Sequence, residues 1–131
     1  MTIQRIVLDT NVLVSALLSP EGNPARIYKK FLTGSLESVI NADIFAEYLD
    51  VPSKPRLQIP VNEMKTVLFA VWQYSEYREP IRSTIALPDE DDRIFYDTAK
   101  TAGAFLITGN TKHYPQESFV LTPTEFLTKL I

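Results

Sequence analysis

The strongest constraint on the fold of this chain is an apolar run near its start that ends in an acid. Ile6, Val7 and Leu8 are apolar without alternation, which is typical of a strand buried on both faces of a parallel sheet. Asp9 follows directly, and a helical pattern then extends from Val12 to Leu18. Because ligands bind at the carboxyl ends of strands in open α/β sheets, we expect Asp9 at the edge of a binding cleft.

Buried apolar runs alternate with amphipathic segments along the rest of the chain, which predicts a three-layer α/β/α sandwich with a central parallel sheet. The predicted strands are Ile3 to Leu8, Glu37 to Ile40, a weak one around Arg78 to Arg82, Phe105 to Thr108, and Phe119 to Leu121. With 131 residues, the chain has room for one domain over residues 1–131.

Two helices are especially well marked. A capping box at Thr122, together with a proline at the first helical position, predicts a helix from Pro123 to about Leu130. The segment from Asn62 to Tyr74 carries an apolar stripe that includes Trp72, which favours packing in the core, with a groove for a partner as the alternative. Between Val51 and Pro60, three prolines predict a loop.

Composition narrows the classes of function. The absence of cysteine excludes a disulfide scaffold and a thiolate metal site. No apolar run approaches the ~20 residues that a membrane helix needs, and no cleavable signal is seen, so we expect a cytoplasmic protein without a membrane partner. The net charge of −3 argues against passive binding of nucleic acid, but carboxylates loaded with divalent cations form an electropositive site.

Two further acids have apolar neighbours at helical spacing. Glu47 is flanked by apolar side chains at −3, +1 and +4, which places its carboxylate within the apolar stripe of a helix. The alternative is an acid at the edge of the stripe that extends into solvent or pairs with an arginine. Asp92 has such neighbours at +3, +4 and +7, which predicts an inward carboxylate near the amino end of a helix. A helix cap, or a surface patch within the acidic run from Asp89 to Asp92, is the alternative there.

A second buried strand also ends in polar groups, in Leu106-Ile107-Thr108-Gly109-Asn110. We predict that the strands ending at Asp9 and Thr108 are neighbours, so that one cleft would contain Asp9, Thr10, Asn11, Thr108 and Asn110, with Glu47 and Asp92 on its walls. Oxygen ligands of this kind suit Mg²⁺ or Mn²⁺ and not zinc. The one histidine, His113, is interpreted as a loop residue with satisfied hydrogen bonds, with contact to phosphate or substrate as the alternative.

The order and spacing of these segments resemble those of PIN-domain proteins, in particular the PIN-type (VapC-like) toxin components of bacterial and archaeal toxin–antitoxin modules. The resemblance runs nearly end to end. It is carried by Val7 to Ala16, Ala46-Glu47-Tyr48, Pro88 to Asp92, Leu106 to Asn110, Lys112 to Pro115, and Leu121 to Leu127.

The resemblance implies a PIN-like fold and a metal-dependent endoribonuclease. Mg²⁺ or Mn²⁺ would be held by Asp9, Glu47 and Asp92, with Thr10, Asn11 and Thr108 in support. Asn110 would be a further catalytic residue, at a position where many members carry an acid. The resemblance also implies a cognate small antitoxin as partner, and we expect a homodimer. The alternative for each of two small basic groups is a solvated surface. RNA is expected to bind these groups, which are Arg26, Lys29 and Lys30, and Lys54 and Arg56.

Two other functions are compatible with these residues. The first is a PIN-like module without catalytic activity that binds RNA or a protein, and Asn110 favours it because an amide brings no charge. The second is a phosphotransferase with Asp9 as nucleophile, similar to haloacid-dehalogenase-type enzymes. That family requires an aspartate two residues further on, where this chain has Asn11.

Overall fold

The computed structural model describes residues 3–51, 54 and 58–130. In these residues, five strands form a parallel sheet and six α-helices surround it. The strands are β1 (Gln4–Leu8), β2 (Leu36–Ile40), β3 (Glu76–Tyr77), β4 (Phe105–Ile107) and β5 (Val120–Leu121). The helices are α1 (Thr10–Leu18), α2 (Asn23–Leu32), α3 (Ala42–Asp50), α4 (Val61–Tyr74), α5 (Arg93–Ala102) and α6 (Pro123–Lys129).

The strand order is β3-β2-β1-β4-β5, and every pair of neighbours is parallel. Ile6, Val7 and Leu8 in the central strand are all buried. Because successive residues of a strand point to opposite faces, helices must cover the sheet on both sides. The predicted α/β fold with a central parallel sheet is confirmed.

The predicted strand from Arg78 to Arg82 is wrong, because the third strand lies earlier and ends at Tyr77. The N–H of Arg78 still donates to the carbonyl oxygen of Ile40, at 2.9 Å. Pro80 has no N–H with which to continue the ladder. The chain therefore leaves the edge of the sheet at this point.

The helix boundaries agree well with the sequence. Helix α1 begins two residues earlier than predicted, since the side chain of Asp9 caps it by accepting the N–H of Asn11. The capping box of α6 is present as predicted. The apolar stripe of α4 is largely buried, but Trp72 is 58% exposed and packs its ring against Phe45 at a centroid distance of 5.0 Å.

The loop between Val51 and Pro60 lies partly outside the described residues. None of the helices in the described ranges is long and apolar enough to cross a membrane.

Candidate functional site

The carboxyl ends of β1 and β4 lie side by side at the centre of the sheet. Leu8 pairs with Ile107, and the N–H of Asp9 donates to the carbonyl oxygen of Ile107 at 3.0 Å. Thr108 follows at the end of β4, so the prediction that the strands ending at Asp9 and Thr108 are neighbours is confirmed. The strand order places β2 on one side of β1 and β4 on the other, and such a switch point is where open α/β sheets bind ligands.

The carboxylate of Asp9 is buried and held by three donors. Its Oδ2 accepts hydrogen bonds from the hydroxyls of Thr108 and Tyr114, both at 3.0 Å. Its Oδ1 accepts the N–H of Asn11 at 3.3 Å. Since Oδ2 already has two partners and Oδ1 has one long bond, Oδ1 is the oxygen with more capacity for a ligand.

Two buried tyrosines fix this end of β1. The hydroxyl of Tyr48 donates to the carbonyl oxygen of Leu8 at 2.6 Å, next to Asp9 in the chain. Burial, followed by the charge of Asp9, raises the pKa values of both Tyr48 and Tyr114 well above the usual range. Both phenols therefore stay protonated and act as donors.

Asp92 stands at the start of α5, after a 3₁₀ turn over Glu90–Asp92. It makes no capping hydrogen bond of its own, and Asp89 caps the turn instead by accepting the N–H of Asp91 at 2.9 Å. Burial raises the pKa of Asp92 to about 6, and the charge of Asp9 is the next largest cause. The carboxylate is therefore half-buried, close to another acid, and not used as a cap.

One acid of the run, Glu90, is neutralised by an arginine. Arg93 is buried and donates to both carboxylate oxygens of Glu90, at 2.6 and 2.8 Å, and to the backbone of Ser83 and Ile85. These contacts hold the 3₁₀ turn in place and lower the pKa of Glu90. In the described part of the chain, no lysine or arginine forms an ion pair with Asp9 or Asp92.

Asn110 and His113 lie in the loop after β4, and this loop approaches Asp92 at the start of α5. The Oδ1 of Asn110 accepts the N–H of Lys112 at 3.1 Å and so caps the short turn Thr111–His113. The Nδ2 of Asn110 is 3.0 Å from Nε2 of His113, whose Nδ1 is 3.8 Å from Oδ2 of Asp92. The interpretation of His113 as a loop histidine with a hydrogen-bond partner is confirmed, but its other nitrogen faces the acidic site.

Thr10 and Asn11 follow Asp9 in the first turn of α1. The Oγ1 of Thr10 is buried, and no hydrogen-bond partner for it is present among the described residues. Asn11 is exposed and contributes its backbone N–H to Asp9. An unpaired buried hydroxyl on the residue that follows Asp9 is a group that a bound ion or its water would satisfy.

Glu47 is exposed, so the prediction that its carboxylate lies within the apolar stripe of α3 is wrong. The buried line of this helix runs through Ile44, Tyr48 and Val51, at steps of four and three residues. On the helix, Glu47 is offset by about 60° from Ile44 and by about 100° from Tyr48. It therefore lies at the edge of the stripe, which was the alternative interpretation.

The two predicted basic groups differ in their surroundings. Three exposed cations of α2 line an open groove of about 500 Å³, together with Leu127 of α6 and Leu130 directly after it: Arg26, Lys29 and Lys30. Lys54 forms an ion pair with Asp50 at 3.6 Å, and Arg56 lies outside the described residues. Among the residues that the structure describes, no hydrogen bond or ion pair joins these cations to Asp9 or Asp92.

The residues at this edge of the sheet are suited to one divalent cation held by a few ligands. They do not form a closed cage of acids around an ion. In the ranges that the structure describes, no three acidic or histidine side chains are close enough to hold an ion together. Asp9 and Asp92, however, are two carboxylates that interact without a neutralising arginine or lysine. Mg²⁺ typically binds proteins through one or two carboxylates and keeps several waters, which matches this pair.

Sequence reasoning missed the roles of Tyr48 and Tyr114 and the approach of His113 to Asp92. Tyr48 looks like one more apolar residue in a stripe, and its hydroxyl contact is long-range in sequence. Tyr114 and His113 belong to a segment that carries the family resemblance, and that was the available signal.

We expect Tyr114→Phe to lower the free energy of unfolding by about 1–2 kcal/mol at neutral pH, because a buried carboxylate loses a donor. Urea denaturation measures this change. Tyr74→Phe is the matched control, since its side chain is 65% exposed and should change stability little. Equal stability of Tyr114→Phe and the control would show that the contact with Asp9 contributes nothing.

Comparisons with known proteins agree with this geometry. A family model described as "PIN domain" matches residues 5–112, a range that contains all of the acids discussed above. The chain is also similar to an uncharacterized protein of Methanocaldococcus jannaschii, at 28% identity over 109 residues, which are 81% of this chain and 70% of the relative.

Proposed function

The chain belongs to the PIN domain family, and we propose that it is a ribonuclease that hydrolyses RNA phosphodiester bonds with the help of Mg²⁺ or Mn²⁺. PIN domains are generally nucleases that use divalent metal ions. The observation that carries the proposal is the pair formed by Asp9 and Asp92 at the switch point of the sheet. Two interacting carboxylates without a lysine or arginine partner are costly unless an ion binds them.

Each residue of the site has a defined task in this proposal. Asp9 and Asp92 would hold the cation, which when bound lowers the pKa of a water molecule and offsets charge on the leaving oxygen. Thr108 and Tyr114 keep the Asp9 carboxylate in one orientation through two hydrogen bonds to Oδ2. Thr10 supplies a buried hydroxyl next to Asp9.

Glu47 and Asn110 have more distant tasks. Glu47 extends into solvent from α3, and we assign it a role after RNA has bound, when a phosphate adds negative charge to the site and a second ion is favoured. Asn110 keeps the turn that carries His113 in position, and its uncharged amide makes a second ion weak in the free protein.

The finer role that we propose is the toxin of a toxin–antitoxin pair, acting as a homodimer in the cytoplasm. It rests on the resemblance of the sequence to PIN-type toxins. An apolar cavity of about 370 Å³ between α1, α2 and α4 supports it, because a segment of a small antitoxin would find a groove there. Leu13, Leu17 and Val67 line this cavity, and Val67 belongs to the apolar stripe predicted from the sequence.

A second candidate function is a PIN-like module that binds RNA without cleaving it. Two observations favour it: Glu47 is exposed, and the side chain of Asn110 is engaged in its own turn. A site of this kind would bind RNA and release it intact.

A panel of single-stranded and hairpin RNAs tests the proposal. We expect cleavage with Mg²⁺ or Mn²⁺, loss of cleavage with EDTA, and recovery when Mn²⁺ is added in excess. Asp9→Asn, purified in parallel, identifies cleavage by a contaminant, because a contaminant would be unaffected by the substitution. Binding of RNA without cleavage in the wild-type protein would favour the silent module.

A further inference from the structure

A second cavity, of about 410 Å³, adjoins the site on the side of β5. Its walls are the loop that follows β4, from Thr111 to Glu117, together with strand β5 and Glu125 of α6. Tyr114 connects this cavity with the site around Asp9, because it lines the cavity while its hydroxyl donates to Asp9 at 3.0 Å. A group bound in this cavity would therefore lie one side chain away from the catalytic acids.

The cavity has the size of a small-molecule site and a mixed set of polar groups. Glu117 is the acceptor that is fixed in place: the hydroxyl of the buried Tyr96 donates to its Oε2 at 3.3 Å. Glu125 is already used in the capping box of α6. Lys112 and Gln116 are exposed at the rim, and in the described residues no acid forms an ion pair with Lys112.

These groups match the hydrogen-bonding edge of one nucleobase. A carboxylate accepts two parallel hydrogen bonds best when the ligand offers two adjacent donors. Guanine offers N1–H and the N2 amino group side by side on its Watson–Crick edge, with O6 as an acceptor next to them. Adenine, cytosine and uracil each present one donor position on that edge, flanked by acceptors that a carboxylate repels.

We propose that this cavity binds a guanine base of single-stranded RNA, with Glu117 accepting from N1–H and the N2 amino group and with Gln116 or Lys112 donating to O6. Proteins read unpaired RNA bases through contacts of this kind to the Watson–Crick edge. The inference deepens the proposed function, on which it rests, by naming the nucleotide that lies next to the cleaved phosphate. Cleavage would then occur beside guanines.

Nucleoside titrations followed by NMR test the cavity without requiring cleavage. We expect guanosine to shift the amide signals of the loop from Thr111 to Glu117 in the full chain with EDTA present. Inosine, which lacks the N2 amino group, should bind several-fold more weakly, and adenosine and uridine more weakly still.

Substitutions assign the contacts. Glu117→Gln keeps one oxygen that can accept from Tyr96, but it replaces the second carboxylate oxygen with an amino group. The affinity for guanosine should therefore fall about tenfold or more, and the preference for guanosine over inosine should vanish. Gln116→Ala and Lys112→Ala test the two candidate donors to O6, and loss of the true donor should weaken guanosine and inosine equally because both carry O6. Glu63→Gln on α4 makes the same change of charge elsewhere and should leave binding unchanged.

Cleavage data separate this inference from the proposed function. If wild-type protein cleaves RNA beside guanines and Glu117→Gln cleaves without that preference, both stand. If RNA is cleaved without any preference for guanine, and guanosine shifts the loop no more than adenosine does, the cavity inference is overturned while the nuclease stands. Specific guanosine binding in a protein that cleaves no RNA would leave the cavity occupied as proposed and overturn the nuclease.

Discussion

Asp9→Asn should lower the affinity of the free protein for Mn²⁺ by at least about a hundredfold and reduce RNA cleavage to background. Replacing residues that merely orient metal ligands costs 10- to 100-fold in affinity or activity as a rule, and Asp9 is itself a proposed ligand. The amide keeps the shape of the side chain and can still accept from Thr108 and Tyr114, but it removes the negative charge. Isothermal titration with Mn²⁺ measures the affinity, and circular dichroism establishes that the variant is folded.

Glu47→Gln is the matched control for this experiment, since it makes the same chemical change in the third predicted acid. Because Glu47 is exposed and belongs to no cluster of three acids among the described residues, we expect the Mn²⁺ affinity of the free protein to change by less than about twofold. A loss as large as that of Asp9→Asn would show that Glu47 is already a ligand without RNA. Unchanged affinity in Asp9→Asn would remove Asp9 from the metal site.

The sequence predicted the parts of the site that depend on the backbone. A buried apolar run followed by an acid can be recognised in any parallel strand, and parallel strands bring their carboxyl ends to one edge. The sequence therefore predicts that Asp9 and Thr108 lie together, and their contact, at 3.0 Å between Oγ1 and Oδ2, agrees with this prediction.

The parts that depend on helix rotation and on loop contacts were harder to predict. Glu47 and Tyr48 are adjacent in the chain, yet one is exposed and the other is fully buried, because a helix turns by about 100° per residue. The spacing of apolar residues in a sequence does not distinguish a position at the edge of a buried stripe from one at its centre. Tyr114 reaches Asp9 from a loop 105 positions later, and no local pattern encodes such a contact.

Asp92→Asn should make the metal-free protein more stable at neutral pH. The folded-state pKa of Asp92 is raised from 3.8 to about 6 by burial and by the charge of Asp9, so the ionised side chain destabilises the fold above that pH. The raised pKa means that folding binds a proton between pH 4 and 6, and stability falls as pH rises through this window. A shift of this size corresponds to about 3 kcal/mol, which we reduce to about 1–2 kcal/mol because solvent screens the partly exposed side chain.

Urea denaturation of wild type and Asp92→Asn in EDTA, at several pH values, measures this difference. We expect the variant to be more stable above pH 6 and the two proteins to converge below about pH 4, where Asp92 is protonated in both the folded and the unfolded chain. Added Mn²⁺ should reverse the order of stability. The ion stabilises the wild type by binding its two carboxylates, and the variant offers only one of them. Asp91→Asn, the exposed neighbour in the same run, is the control for a general reduction of negative charge. If Asp92→Asn were less stable than wild type in EDTA at pH 7.5, the ionised carboxylate would be satisfied by the protein alone, and the case for a cation between Asp9 and Asp92 would lose its physical basis.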